Sequence, residues 1–213
     1  MTLLSLPSNR EESWRWSDLS ALPKFAAAAP SGAVPATLPW IDCESDGPRL
    51  LFVDGRLDEG RSRLGPVTIG RVEAASTDHP LARLAGRSGW RLALGSDHAP
   101  SGPVQIIHVA TGAADHLPGE VALETGAQAS IVETFFGDGW TNRFTAFALE
   151  RGARLMLARR LLLTSGFISL TDSVRIGEGG SFVSTTLAAG GADSRLDGSI
   201  HLAGEEGYAE AGG

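Results

Sequence analysis

The residues of this chain that could do chemistry stand mostly at spacings that rule chemistry out. Ser96-Asp97-His98 supplies the three residue types of a hydrolase triad. Side chains adjacent in sequence cannot adopt triad geometry, and no Gly-x-Ser-x-Gly elbow is present, so the segment reads as a loop. Lys24 is the only lysine and sits in Leu22-Pro23-Lys24-Phe25 without a glycine-rich loop before it. A P-loop, and with it ATP hydrolysis by this chain alone, is excluded. His79, His98, His108, His116 and His201 show no His-x-x-x-His spacing for a metal. His108 lies in an apolar run and reads as a hydrogen-bonded packing residue. Cys43 is the sole cysteine. It allows no intramolecular disulfide and cannot hold an iron–sulfur cluster alone, so it reads as a loop thiol after Trp40. Asp172 interrupts an apolar alternation, and the role that fits it is a hydrogen bond to a turn. Gly177-Glu178-Gly179-Gly180 follows a strand-like run without opening a helix, which makes it a turn and not a nucleotide loop. No residue is thereby assigned as catalytic or as a metal ligand, and cofactor-binding residues stay unknown.

The elements that would position such residues are mainly β. Gly is abundant, at 27 of 213 residues, and each interior Gly costs a helix roughly 1 kcal/mol against Ala. Three zones separate. Residues 1–47 begin with a capping-box spacing, Ser8 to Glu11, that predicts a short helix with Trp14 and Leu19 among its packing residues. A tract rich in Ala and Pro comes next and reads as an extended or mobile connector. Residues 48–118 form a mixed β lead-in. There Leu50-Leu51-Phe52-Val53 before Asp54-Gly55 predicts a hairpin, Asp78 a helix cap, and Val104–Val109 a strand.

Residues 119–213 repeat. Gly126, Gly152, Gly179 and Glu206 stand 26, 27 and 27 apart, and each small-residue turn precedes a strand-like run, with a second run about halfway through the unit. Two strands and two turns per unit of about 27 residues predict stacked coils, a right-handed parallel β-helix with Ile131, Leu157 and Val183 in one stack. A propeller blade needs about 40 residues. The chain carries a net charge of −7 and no basic cluster with interleaved aromatics, which argues against nucleic acid. No run approaches the ~20 apolar residues of a membrane span. With Arg10, Glu11 and Glu12 close behind Leu3-Leu4 there is no signal-peptide layout, and the cytoplasm is the expected compartment.

Leu6-Pro7-Ser8-Asn9-Arg10-Glu11-Glu12-Ser13-Trp14-Arg15-Trp16-Ser17-Asp18-Leu19 resembles the N-terminal signature of the SufB/SufD family of iron–sulfur cluster assembly proteins, in its SufD form. Arg49-Leu50-Leu51-Phe52-Val53-Asp54-Gly55-Arg56 resembles the next landmark of that family, and the Glu-x-Gly-Ala coils with Thr141-Asn142 resemble the start of its β-helix. The resemblance implies a non-catalytic scaffold subunit that works with SufB-like and SufC-like proteins. Fe–S cluster and ATP then belong to the assembled complex and not to this chain. The later Asp-Asp-x-Lys-Cys-x-His-Gly-Ala stretch and the docking helices of the family do not occur in residues 1–213, so no family ligand carries over. Two alternatives stay open: a β-helical carbohydrate-active enzyme and a purely structural protein-binding solenoid. Two further expectations concern the ends of the chain. The C-terminal edge of the coils should self-associate, and loss of Trp14 should perturb only the N-terminal segment.

Overall fold

The chain turns back on itself at residues held in the left-handed backbone region. Gly126, Gly152, Gly179 and Glu206 have φ of 72, 66, 60 and 56°, values that Gly adopts without penalty. The N–H groups of Gly126, Gly152 and Gly179 donate to the carbonyls of Arg151, Glu178 and Glu205, one coil further on, at 2.8–2.9 Å. Asp97, φ 57°, repeats the arrangement by donating to the Thr125 carbonyl at 3.0 Å. Ser96-Asp97-His98 is thus a loop, and it forms the first corner of the stack. The computed structural model describes residues 6–8, 10–43, 46–72 and 77–213. Leu3, Leu4 and Asn9 lie outside them.

Between the corners run long bent strands. β5 (Val104–Leu123), β6 (Gln128–Leu149) and β7 (Arg154–Ile176) pair in parallel. β8 (Ser181–Ala188) and β9 (Asp193–Leu202) pair with the two halves of β7, and β10 (Tyr208–Gly212) with β8. The result is a parallel β-helix of about five turns. In β6 and β7 the paired runs of the unit prove continuous, joined by a bend at Gly139 and Gly166, whereas β8 and β9 stay separate strands. A Cβ on Gly166 would collide with the carbonyl of Gly139 in the coil below. The unit from Gly152 to Gly179 has one residue more than the unit before it, and the extra one is absorbed here. Leu163 pairs with Gly137 and Ser165 with Asp138, leaving Thr164 as a bulge. Ile131 and Leu157 stack as expected, but the next residue inward is Ser184, and Val183 faces outward on Met156.

Stacking begins earlier in the chain than residue 119. β1 (Arg49–Val53) forms a hairpin with β2 (Arg56–Leu57) across Asp54 and Gly55, both at positive φ as a type I′ turn requires. β1 then pairs in parallel with the first half of β5. β4 (Ser88–Leu94), in an antiparallel hairpin with β3 (Val67–Arg71), pairs with the second half of β5. Two hairpins thus cover the N-terminal end of the coils.

Residues 6–8 and 10–43 lie along the outside of the stack. Glu11 receives the Ser8 N–H at 2.8 Å, as in a capping box, yet the helix opened there is only a 3-10 turn, Glu12–Trp14. The Ala/Pro tract is partly helical, with α1 spanning Leu22–Ala27 and Pro23 in its first turn, where a missing N–H costs nothing. The remainder is extended and tied down. Ser31 N–H donates to the Thr111 carbonyl, and the Gln105 side chain exchanges two hydrogen bonds with Ile41. Arg160 donates to the Pro39 carbonyl.

Trp14 is buried with Leu19, Leu22 and Leu81 against Trp140 of β6 and Phe167 of β7. The Arg195 guanidinium of β9 lies 3.8 Å from its ring centroid. The segment therefore braces three successive coils, and the expectation of a purely local role for Trp14 is overturned by these contacts. Trp14→Ala should lower stability by about 3–5 kcal/mol and reduce hydrogen-exchange protection at Leu155–Leu163 as well as near residue 14. Protection lost only before residue 30 would show that the brace carries no load.

Candidate functional site

Period-2 alternation turns Ile131, Glu133 and Phe135 of β6 to the same side, and Leu157, Arg159 and Leu161 of β7 stack on them. That side is the lumen. Two apolar lobes fill it, one built on Ile106, Ile131 and Phe147, the other on Phe135, Leu161 and Leu170. Charged side chains form a band between the lobes. Arg159 donates through Nε to Glu133 at 2.8 Å and through both terminal nitrogens to Asp172 at 2.5 and 2.9 Å. Glu133 also meets His108 Nε2 at 3.4 Å, and Arg143 Nε donates to His108 Nδ1 at 3.3 Å. Arg143 pairs with Asp115, which also accepts from Thr141. The His108 ring is stacked between Phe52 and Phe135, centroids 5.5 and 4.8 Å away. Except within the Arg159–Asp172 pair, each of these ion pairs joins one coil to the next.

Electrostatics follow from burial and charge. Burial, then the Arg143 charge, push His108 down to about 4, so it is neutral. Its Nδ1 accepts the hydrogen bond from Arg143 Nε, which leaves Nε2–H pointing at Glu133. Burial alone would push Glu133 up; the Arg159 and His108 interactions outweigh it and hold the carboxyl at about 2. Arg159 is raised above its ordinary value because Asp172 and Glu133 outweigh its desolvation. A fully engaged neutral imidazole has no lone pair left for a general base. What the band does is couple coils. Buried ion pairs add little over apolar packing, but removing one partner strands a charge at about 3–5 kcal/mol.

A second constellation lies on the outer wall. His79 Nε2 meets Asp197 Oδ2 at 3.1 Å, and Thr171 Oγ1 lies 3.3 Å from His79 Nδ1. Hydroxyl, imidazole and carboxylate are thus aligned from positions 171, 79 and 197, a grouping that no local motif announces. His79 Nδ1 also accepts the Ala82 backbone N–H at 3.2 Å, and Thr171 is buried. The acceptor that would activate the hydroxyl is already in use. The cluster instead locks residues 77–85 and the N-terminal brace to β9, since Arg195 holds Asp197 at 2.6 and 2.9 Å while bonding the Ser13 carbonyl and Ser17. Here His79, and not Asp78, satisfies the amide that opens the 3-10 turn at Ala82–Ala85.

Asp172 pairs with Arg159 across the lumen, not with a turn. His108 is the buried, hydrogen-bonded packing residue expected, with ionic neighbours added. His116 bonds Asn142 and meets Trp140 edge-on at 4.9 Å. Cys43 forms no disulfide and accepts from Gln105 at 3.4 Å. Gly177–Gly180 is the turn between β7 and β8. His98 and His201 lie apart from both constellations. Among the described residues no group of three His, Cys, Asp or Glu is placed to hold a metal, and no helix is long and apolar enough to cross a membrane. Asp115, Glu133, Arg143 and Arg159 were missed by sequence reasoning. Their signal is phase, each charge falling on an inward position.

The fold and its interior define a parallel β-helix whose lumen is divided by a chain of ion pairs. No protein-family model matches the chain, and no curated protein matches it by sequence.

Acid should weaken this interior. Burial, then Arg143, also hold His116 down to about 4. Between pH 6.5 and 4 the unfolded chain therefore binds protons that the folded chain does not, and stability falls as pH falls through that window. Each histidine contributes at most about 3 kcal/mol. Glu133 extends the loss below its ordinary range, down towards pH 2. The urea midpoint should be lower at pH 5 than at pH 7, and His116→Gln should remove part of the difference. Equal midpoints at the two pH values would contradict the assignment.

Proposed function

We propose that this chain is a non-catalytic scaffold subunit of iron–sulfur cluster assembly, of the SufB/SufD kind, acting in the cytoplasm with SufB-like and SufC-like partners. The observation that carries the reading is the place that each motif of the resemblance takes in the β-helix. The Leu6–Leu19 motif places Trp14 across the coils, and the Arg49–Arg56 motif builds their first rung. Both are used to begin and brace a parallel β-helix, the architecture that the resemblance implies. The distribution of carboxylates also favours a scaffold over a carbohydrate-active enzyme. Asp115 and Glu133 are buried in the lumen, where no polysaccharide can reach them, whereas such enzymes act from an outer sheet face. Cluster and nucleotide belong to the assembled complex, where partners supply the thiolates and the P-loop.

Co-expression with a SufB-like protein and a SufC-like ATPase, followed by affinity capture of this chain, is the test. Capture should retain the SufB-like protein, and the ATPase only through it. Anaerobic reconstitution with iron and sulfide should leave the isolated chain without stoichiometric iron after desalting. Retention of neither partner, or iron bound by the chain alone and lost in Cys43→Ser, would overturn the proposal.

A further inference from the structure

Residues 38–43 show how the outer wall of this β-helix takes an extended segment. Leu38 and Trp40 pack on Leu51, Ile107 and Val109. The Gln105 amide accepts from the Ile41 N–H at 2.8 Å and donates to the Ile41 carbonyl at 2.9 Å. A neighbouring part of the same wall is open. Met156 of β7 stacks between Ser130 and Val183 and is 62% exposed. With Pro100 and Pro103 these residues line a trough of about 630 Å³.

Two polar side chains in the trough are unused. Gln128 and Arg154, paired across β6 and β7, make no side-chain hydrogen bond or ion pair among the described residues. Gln128 therefore offers the donor and acceptor that Gln105 spends on Ile41. The outward positions of 128–136, 154–162 and 181–187 hold two arginines, Arg154 and Arg160, and no carboxylate, on a chain of net charge −7. Arg160 meets only neutral oxygens, those of Thr134 and Pro39. Glu210 of β10, next to Val183, is engaged by the Tyr208 hydroxyl. An apolar floor beside an unneutralised guanidinium, on an otherwise acidic protein, is complementary to an anionic partner. Met156 at its centre adapts to side chains of different shape.

We propose that this trough binds an extended segment of a partner protein in which a Glu or Asp neighbours an apolar side chain. The carboxylate pairs with Arg154, the apolar side chain lies on Met156 and Val183, and Gln128 holds the main chain as Gln105 holds Ile41. This goes beyond the scaffold reading and stands whether or not a SufB-like protein is captured.

The test pans a phage-displayed library of random peptides of about twelve residues on the wild-type chain, with counter-selection on Met156→Asp. Enriched peptides should carry Glu or Asp beside an apolar residue. A synthetic copy of the most enriched peptide should bind Arg154→Glu about tenfold more weakly than wild type in fluorescence polarisation. The same peptide with its carboxylate residue replaced by Lys should show the reverse order. Arg175→Glu, at an exposed position on the second half of β7, should leave affinity within about twofold. All three variants should keep the wild-type circular dichroism spectrum. No enrichment over the counter-selection, enriched peptides without a carboxylate, or equal affinity for wild type and Arg154→Glu would overturn the proposal. So would sedimentation of the peptide-free chain as a dimer that Arg154→Glu dissociates, because the trough would then belong to a second copy.

Discussion

Every coil has to return to the line on which it began, and a single backbone conformation makes that return possible. Asp97, Gly126, Gly152, Gly179 and Glu206 each take positive φ at the same corner. Three of the five are Gly. Asp97 and Glu206 adopt the same φ against the cost that a Cβ imposes there. Because side chains alternate with period 2, a net slip of one residue between corners would turn the lumen residues of the next strand outward. The 26- and 27-residue units avoid that fate by confining the difference to Thr164 at the bend, whose hydroxyl donates to the Gly137 carbonyl. Corner geometry thus fixes which residues share the interior.

The interior then gains a second layer of specification. Apolar stacking alone tolerates exchange of Leu, Ile and Val between rungs. An ion pair does not, because a misplaced partner leaves a charge unpaired in a low-dielectric space. Arg159 reaches Glu133 in the coil below and Asp172 across the lumen, and Arg143 reaches Asp115 and His108. Only one stacking order satisfies all four contacts. The His108 ring serves both layers, packed between two phenylalanines while its nitrogens link Arg143 to Glu133.

Much of the coil architecture was legible because it is local. The corner spacing, the Asp54-Gly55 turn and the paired strand runs are properties of short segments, and the structure keeps each of them. The lumen charges were not legible for a physical reason. Glu133 between Ile131 and Phe135 looks like an ordinary interruption until its partner is known, and that partner lies 26 residues away on the next coil. Asp172 did stand out, but its counter-ion sits across the lumen, a relation that no turn rule contains. The Ala/Pro tract misled in the opposite way. Composition suggested slack, whereas Gln105, Thr111 and Arg160 supply tethers from far along the chain. His79, Thr171 and Asp197 meet only after three separate segments have docked.

The seat of Trp14 also sets an order of events during folding. Its ring is covered by Arg195, and the same guanidinium bonds the carbonyl of Ser13, 182 residues earlier in the chain. A chain emerging from a ribosome makes the tryptophan long before the β9 arginine that covers it. Until β9 is laid down, an aromatic, apolar N-terminal stretch has only part of its docking surface. Contacts of such sequence separation carry a large loop-closure cost and slow the search for the native state. Closure of the brace is thus a late step in folding, and the interval before it is when the nascent chain has the most apolar surface for a chaperone to cover.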